Sequence, residues 1–137
     1  MAQTLKLEII TPDAKIFEGD VESVQLPGAE GEMGVFPMHQ TEITELAAGE
    51  LRYVYQGKTE IFAIGEGFAE IRQDSVGVLT DGAMHEKDID EKVAEEAVKR
   101  AEELLKSSTL EGEELEATQA ALARSLAQIK VKRRHHS

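Results

Sequence analysis

The chain has no cysteine and no tryptophan, and only 2 Tyr, 4 Phe and 3 Pro among its 137 residues. Without thiols there is no disulfide framework, no thiolate nucleophile and no Cys-ligated metal, and the composition fits a reducing cytoplasm. No apolar run approaches the ~20 residues that span a bilayer as a helix. The opening Met1-Ala2-Gln3-Thr4-Leu5-Lys6 lacks a basic stretch followed by an apolar core, so no signal peptide is expected. Basic charge is scarce too. Fifteen Lys and Arg stand against 27 Asp and Glu, a net charge of -12, which argues against nucleic acid as a partner. What is present, 41% hydrophobic and 31% charged residues, suffices for a folded domain. The length allows one ordinary domain, or a small sandwich with an appendage.

The charge is unevenly spread. Residues 1–84 carry 5 basic and 15 acidic side chains, and residues 85–123 carry 5 and 12. Residues 124–137 carry 5 basic and none acidic. An acidic body with a basic tip suggests a tip that meets an acidic partner. Compensation of a helix dipole at its C-terminal end explains the same pattern. Both readings stand at this point.

The first part of the chain reads as short strands. Leu5, Leu7 and Ile9 alternate with Lys6 and Glu8, as in a half-buried strand. Thr11-Pro12-Asp13 signals a turn. Val24 and Leu26 alternate around Gln25. Arg52–Tyr55 and Glu60–Ile64 flank Gln56-Gly57, a hairpin turn. Phe68, Ala69 and Ile71 form another run, followed by Val76 and Val78. Turns every ~8–12 residues without a helical pattern between them point to a β-sandwich or barrel. Near Met84 the period changes. Ile89, Val93, Ala97, Val98, Ala101, Leu104 and Leu105 recur at helical spacing, with Asp88 or Asp90 as N-cap. The helix is expected to break at Ser107-Ser108-Thr109, with Gly112 in the connection. A second, Ala-rich helix carries Leu115, Leu122, Leu126 and Ile129. Such a hairpin has little core of its own and must lean on the sandwich or on another protein.

Chemistry is hard to find. Gly28, Gly31 and Gly34 invite a phosphate-cradle reading, but no Gly-Lys-Ser/Thr follows, no helix begins there, and Glu30 and Glu32 lie inside the segment. A tight loop with unusual backbone angles is the better reading. His39 lacks partners at ligand spacing and is read as a loop residue or a partner contact. His135-His136 are assigned no function. Acidic pairs such as Glu66 and Glu70 are common, but nothing marks a pocket around them. No serine elbow or kinase motif occurs. No catalytic residue, metal site or independent enzyme activity is expected.

The segment Leu26-Pro27-Gly28-Ala29-Glu30-Gly31-Glu32-Met33-Gly34-Val35-Phe36-Pro37-Met38-His39 resembles the loop P-G-x-x-G-x-x-G-x-x-P-x-H of ATP synthase epsilon subunits. Ile10-Thr11-Pro12-Asp13 with Ile16-Phe17-Glu18-Gly19, Gly65–Ile71 with Val76–Leu79, the Ile89-Asp90 helix opening and the Ala-rich second helix are similar to the same family. The resemblance spans nearly the whole chain. One departure is His39-Gln40-Thr41-Glu42-Ile43-Thr44, where the family has His-x-Pro-Leu-Leu-Thr. Another concerns ATP, which some members bind on the hairpin through Ile/Leu-Asp-x-x-Arg-Ala and arginines on helix two. Here Val93 stands at the motif's arginine, Arg124 fits one helix-two arginine and Gln128 replaces the other. Loss of two cations weakens phosphate recognition, so no cofactor is expected.

The resemblance implies an all-β sandwich of ten strands at 1–84 that docks on the rotor, and a two-helix regulatory hairpin at 88–134. It implies a non-catalytic central-stalk subunit that couples proton-driven rotation to ATP synthesis and restrains ATP hydrolysis. Its partners would be the gamma subunit, the c-ring and the alpha/beta catalytic subunits, at the cytoplasmic face of the cell membrane. Glu30, Glu32 and His39 would face the c-ring, and Arg124, Lys130, Lys132, Arg133 and Arg134 an acidic catalytic-subunit surface. The alternatives are a free-standing adaptor with a helical arm, which would not co-purify with gamma, and a small enzyme or nucleotide-binding regulator, which ATP titration of the isolated protein would address.

Overall fold

A computed structural model describes residues 3–38, 40–107 and 109–135. Ten strands come first: β1 (Leu5–Ile10), β2 (Lys15–Val21), β3 (Ser23–Gly28), β4 (Gly31–Val35), β5 (Glu42–Leu46), β6 (Gly49–Tyr55), β7 (Lys58–Ile64), β8 (Gly67–Ile71), β9 (Ser75–Thr80) and β10 (Ala83–His85). A turn of 3-10 helix, Glu86–Asp88, leads to α1 (Glu91–Ser107) and α2 (Gly112–His135).

Alternation builds the strands. Leu5, Leu7 and Ile9 point inward from β1 while Lys6 points out, as the pleat requires. The strands run in the order β10-β7-β6-β3-β5-β8-β9-β1-β2, with β4 also paired to β3. Neighbours are antiparallel except β1 and β9. β3 is the corner. Its Ser23–Gln25 pair with Arg52–Val54 of β6, whereas only Gly28 meets Leu46 of β5. The sheet folds over there into two layers. Val24, Leu26, Leu51, Tyr53, Phe62 and Ile64 from one layer pack with Leu7, Ile9, Leu46, Ile71, Val76 and Val78 from the other. The rings of Phe17 and Tyr53, tilted by 32° with 4.5 Å between centroids, close the side where β2 meets β6. Gln56 (φ 52) and Gly57 (φ 78) make the two-residue turn of the β6–β7 hairpin.

Three expectations are corrected. The glycine-rich segment is a loop only at Ala29 and Glu30: the rest is the β3–β4 hairpin, with Glu30 in its turn and Glu32 on β4. Of its glycines only Gly31 takes a positive φ, 131°. Gly28 serves close approach instead, since a Cβ there would lie 2.6 Å from the Gly31 carbonyl oxygen. Gly112 is the first residue of α2 rather than part of the connection, at φ 58°. The inward face of α1 is Ala94 and Ala101, while Val93 and Leu104 are exposed. Val93 and Leu104 lie eleven residues apart, three turns, and so share the outer face. As expected, Asp90 caps α1, its Oδ1 accepting from the Lys92 and Val93 amides at 3.0 and 3.2 Å.

Candidate functional site

The hairpin leans on the sandwich through α2, which lies against β6 and β7. Val131 is the apolar anchor, buried with Ala63 and Ile89 and flanked by Ile61. The basic residues of α2 surround it. Lys132 Nζ donates to the Glu86 carbonyl at 3.1 Å. Arg133 reaches Glu91 and Glu95 of α1 at 3.2 and 3.0 Å, and the Glu91 hydrogen bond, then its charge, hold the guanidinium more firmly protonated than usual. Arg134 lies 3.8 Å from Glu50, and His135 Nε2 lies 2.8 Å from the same carboxylate. Further back, Arg124 pairs with Asp81 at 3.3 Å. Gly82 makes room for it, since a Cβ there would stand 2.7 Å from Arg124 Cδ. The Thr80 hydroxyl, buried, donates to the Gly65 carbonyl at 2.8 Å and pins this turn. Lys130 is exposed at the rim of an open groove of about 700 Å³ between α2 and the sandwich. The basic stretch thus turns onto acidic groups of its own chain, an arrangement that neither sequence reading named.

The β3–β4 hairpin presents Glu30, exposed at the turn. Glu32 accepts from Gln25 Nε2 at 3.0 Å. The Arg52 guanidinium stands 3.8 Å from Glu32 and, through Nε, 3.1 Å from Glu50, and also donates to Gln25 Oε1. His39, read with these two as a contact, lies outside the described residues.

The outer face of the second layer carries an apolar patch. Glu45, Phe68, Leu79 and Ile10 stand opposite one another across β5, β8, β9 and β1. Ile43 lies two residues further along β5, paired with Glu70, and so on the same face, diagonal to Phe68. Ile43, Phe68 and Leu79 are 72%, 55% and 47% exposed. Their strands turn Leu46, Ala69, Ile71 and Val78 to the core instead. Sequence reasoning grouped Phe68 with Ala69 and Ile71. The two-residue period alone places it on the opposite face, so the signal was available.

Glu50, Asp81 and His85 were also missed. His85 Nδ1 accepts from the Lys87 amide at 3.1 Å, so in the neutral ring Nε2 carries the proton, which faces Glu60 at 2.7 Å. It caps the 3-10 turn that joins sandwich to hairpin. Among the described residues no group of three or more His, Asp or Glu is placed to hold a metal. Among the described residues no helix is long and apolar enough to cross a membrane.

A β-sandwich with an apolar outer face, joined to a helical hairpin docked by one apolar anchor ringed with ion pairs, defines a protein built of contact surfaces. The family model for the beta-sandwich domain of the ATP synthase delta/epsilon chain matches residues 4–86, and that for its long alpha-helix domain matches residues 87–133. The chain is 42% identical over 108 residues to the ATP synthase epsilon chain of Koribacter versatilis, covering 79% of this chain and 76% of that one. It is 41% identical to that of Carboxydothermus hydrogenoformans, covering 80% and 81%. With that of Shouchella clausii it shares 36% identity, covering 93% and 94%. A chain of the Euglena gracilis mitochondrial ATP synthase, solved by cryo-EM as OSCP/F1/c-ring in rotational state 1, superposes with a TM-score of 0.72 at 26% identity, covering 93% of this chain and 79% of that one. A chain of the Tetrahymena thermophila mitochondrial enzyme's central stalk and c-ring shares the fold, with a TM-score of 0.58 at 12% identity, covering 98% of each chain. The chain belongs to the ATP synthase delta/epsilon family and is an epsilon subunit, a non-catalytic stalk subunit of the F-type enzyme.

Proposed function

We propose that this subunit couples the rotor to the catalytic head by three separate surfaces. The apolar outer face of the sandwich docks on the gamma shaft. The β3–β4 hairpin, through Glu30 and Glu32 and with His39 beyond it, faces the c-ring. The hairpin domain, 88–134, restrains ATP hydrolysis when its basic residues meet the alpha/beta catalytic subunits. Residues 1–84 are the docking unit. The site of action is the cytoplasmic face of the membrane, reached through the complex.

The observation that carries this reading is the exposure of Ile43, Phe68 and Leu79 as neighbours on one face of a sheet whose other face is the core, Phe68 opposite Leu79 and diagonal to Ile43. Contiguous apolar surface of this kind marks a protein contact. Ile43→Ser with Phe68→Ser removes apolar area from that face and none from the core. Stability should stay within about 0.5 kcal/mol, as at other exposed positions. Co-purification with gamma should be lost. A folded double variant that still binds gamma as the parent does would refute the assignment.

A further inference from the structure

The polar contacts of the chain form a continuous path from the β3–β4 hairpin to the end of α2. Glu32 and Glu50 lie on either side of the Arg52 guanidinium, at 3.8 and 3.1 Å. The Glu50 side chain is only 12% exposed. One of its oxygens takes Arg52. The other faces Arg134 at 3.8 Å and His135 at 2.8 Å. A single carboxylate therefore joins the sandwich wall to the last turn of α2. Other charges face the same helix. Glu45 and Glu66 line the groove opposite Lys130 and Arg134, and Glu91 and Glu95 of α1 take Arg133.

We propose that Glu50 is the catch that holds the end of α2 on the sandwich, and that Glu32, acting through Arg52, sets its strength. Glu32, Arg52 and Glu50 together carry one net negative charge, which attracts Arg134 and the His135 ring. Neutralising Glu32 leaves the full charge of Arg52 to Glu50, so the triad becomes neutral and its pull on α2 weakens. Neutralising Glu50 removes the contacts as well as the charge. Glu45 and Glu66 act across an open groove, where water and salt screen them. The consequence is a coupling between two surfaces: whatever draws on Glu32 loosens the C-terminal end of α2. The coupling is a property of the chain alone and needs none of the partner assignments.

The chain has no cysteine, so Val131→Cys supplies its only thiol, at a position 2% exposed against Ala63 and Ile89. Its rate of reaction with an aromatic disulfide reagent, divided by that of the exposed Ser107→Cys, reports the undocked fraction. Glu50→Gln should raise this ratio about tenfold, the scale of a lost hydrogen bond to a charged group. Glu32→Gln should raise it about threefold, the scale of an exposed ion pair. In the Glu50→Gln background, Glu32→Gln should raise it by a clearly smaller factor, because the contact to α2 that Arg52 modulates is already gone. Arg134→Gln with His135→Gln should reproduce the Glu50→Gln effect from the helix side, leaving the sandwich untouched should Glu50→Gln fail to fold. Circular dichroism checks each variant. An unchanged ratio in the folded Glu50→Gln or helix-side variants overturns the catch. An unchanged ratio in Glu32→Gln, or an equal factor with and without Glu50, overturns the coupling.

Discussion

At the scale of single residues, the ion pairs of the sandwich edge give a defined pH response. Lys6 and Lys15 flank Glu18 at 2.8 and 2.9 Å. The Lys6 hydrogen bond, then that of Lys15, hold the Glu18 carboxyl down at about 2 from its ordinary 4.5. A carboxyl with a lowered folded pKa stabilises the fold above its unfolded value, and that contribution fades as pH falls toward the folded value. Glu18→Gln should therefore lose less stability than the parent between about pH 4.5 and 2, as read from urea midpoints. Equal losses in both proteins would show that the pair contributes nothing to acid stability. Single residues also bear on the nucleotide question. Val93 is exposed and apolar where the family's ATP motif has arginine, Gln128 replaces a second, and Arg124 is already paired with Asp81. Calorimetric titration of ATP into the isolated chain should give weak or undetectable heat. A dissociation constant in the low micromolar range would contradict this.

At the scale of elements, close backbone approach matters more than turn angles. A Cβ on Gly67 would collide with the Leu79 carbonyl oxygen, a backbone atom inside the β8–β9 ladder. Gly67→Ala should cost about 1–3 kcal/mol, the range for forced overpacking. Gly77→Ala, on the same ladder with nothing within 4 Å, should cost far less. Similar denaturant midpoints for the two would show that the ladder can shift. Which elements were legible follows from range. Period-2 alternation in β1, the Gln56-Gly57 turn and the Asp90 cap are local, and each was readable. β4 was not, because Gly31 and Gly34 are poor strand formers and its pairing with β3 supplies what propensity lacks. The partners of the basic stretch were invisible for a similar reason. His135 and Glu50 are 85 residues apart, and only the docking of α2 on β6 and β7 brings them together. The exposure of Val93 and Leu104 depends likewise on which side of α1 meets α2, which the helical period alone does not decide.

At the scale of the whole molecule, the chain is a sandwich with its own large core and a hairpin with almost none. Sixteen buried residues form the core cluster of the sandwich, against three where α2 is anchored. The sandwich should therefore fold without the hairpin, while the hairpin depends on what it leans on. Ion pairs around Val131 add direction to that docking but little energy each, since exposed pairs contribute roughly 0–1 kcal/mol. Such a seam is suited to being broken and remade. The central claim, that this epsilon subunit couples through its sandwich and restrains hydrolysis through its hairpin, is tested most directly by reconstitution. An F-type ATP synthase freed of its own epsilon subunit receives the full chain, or a chain ending at Asp88, which retains all ten strands and the 3-10 turn. Proton-driven ATP synthesis should return with both chains, while ATP hydrolysis should fall only with the full chain. A folded short chain that restores no synthesis, or a full chain that leaves hydrolysis where the short one does, would contradict the account.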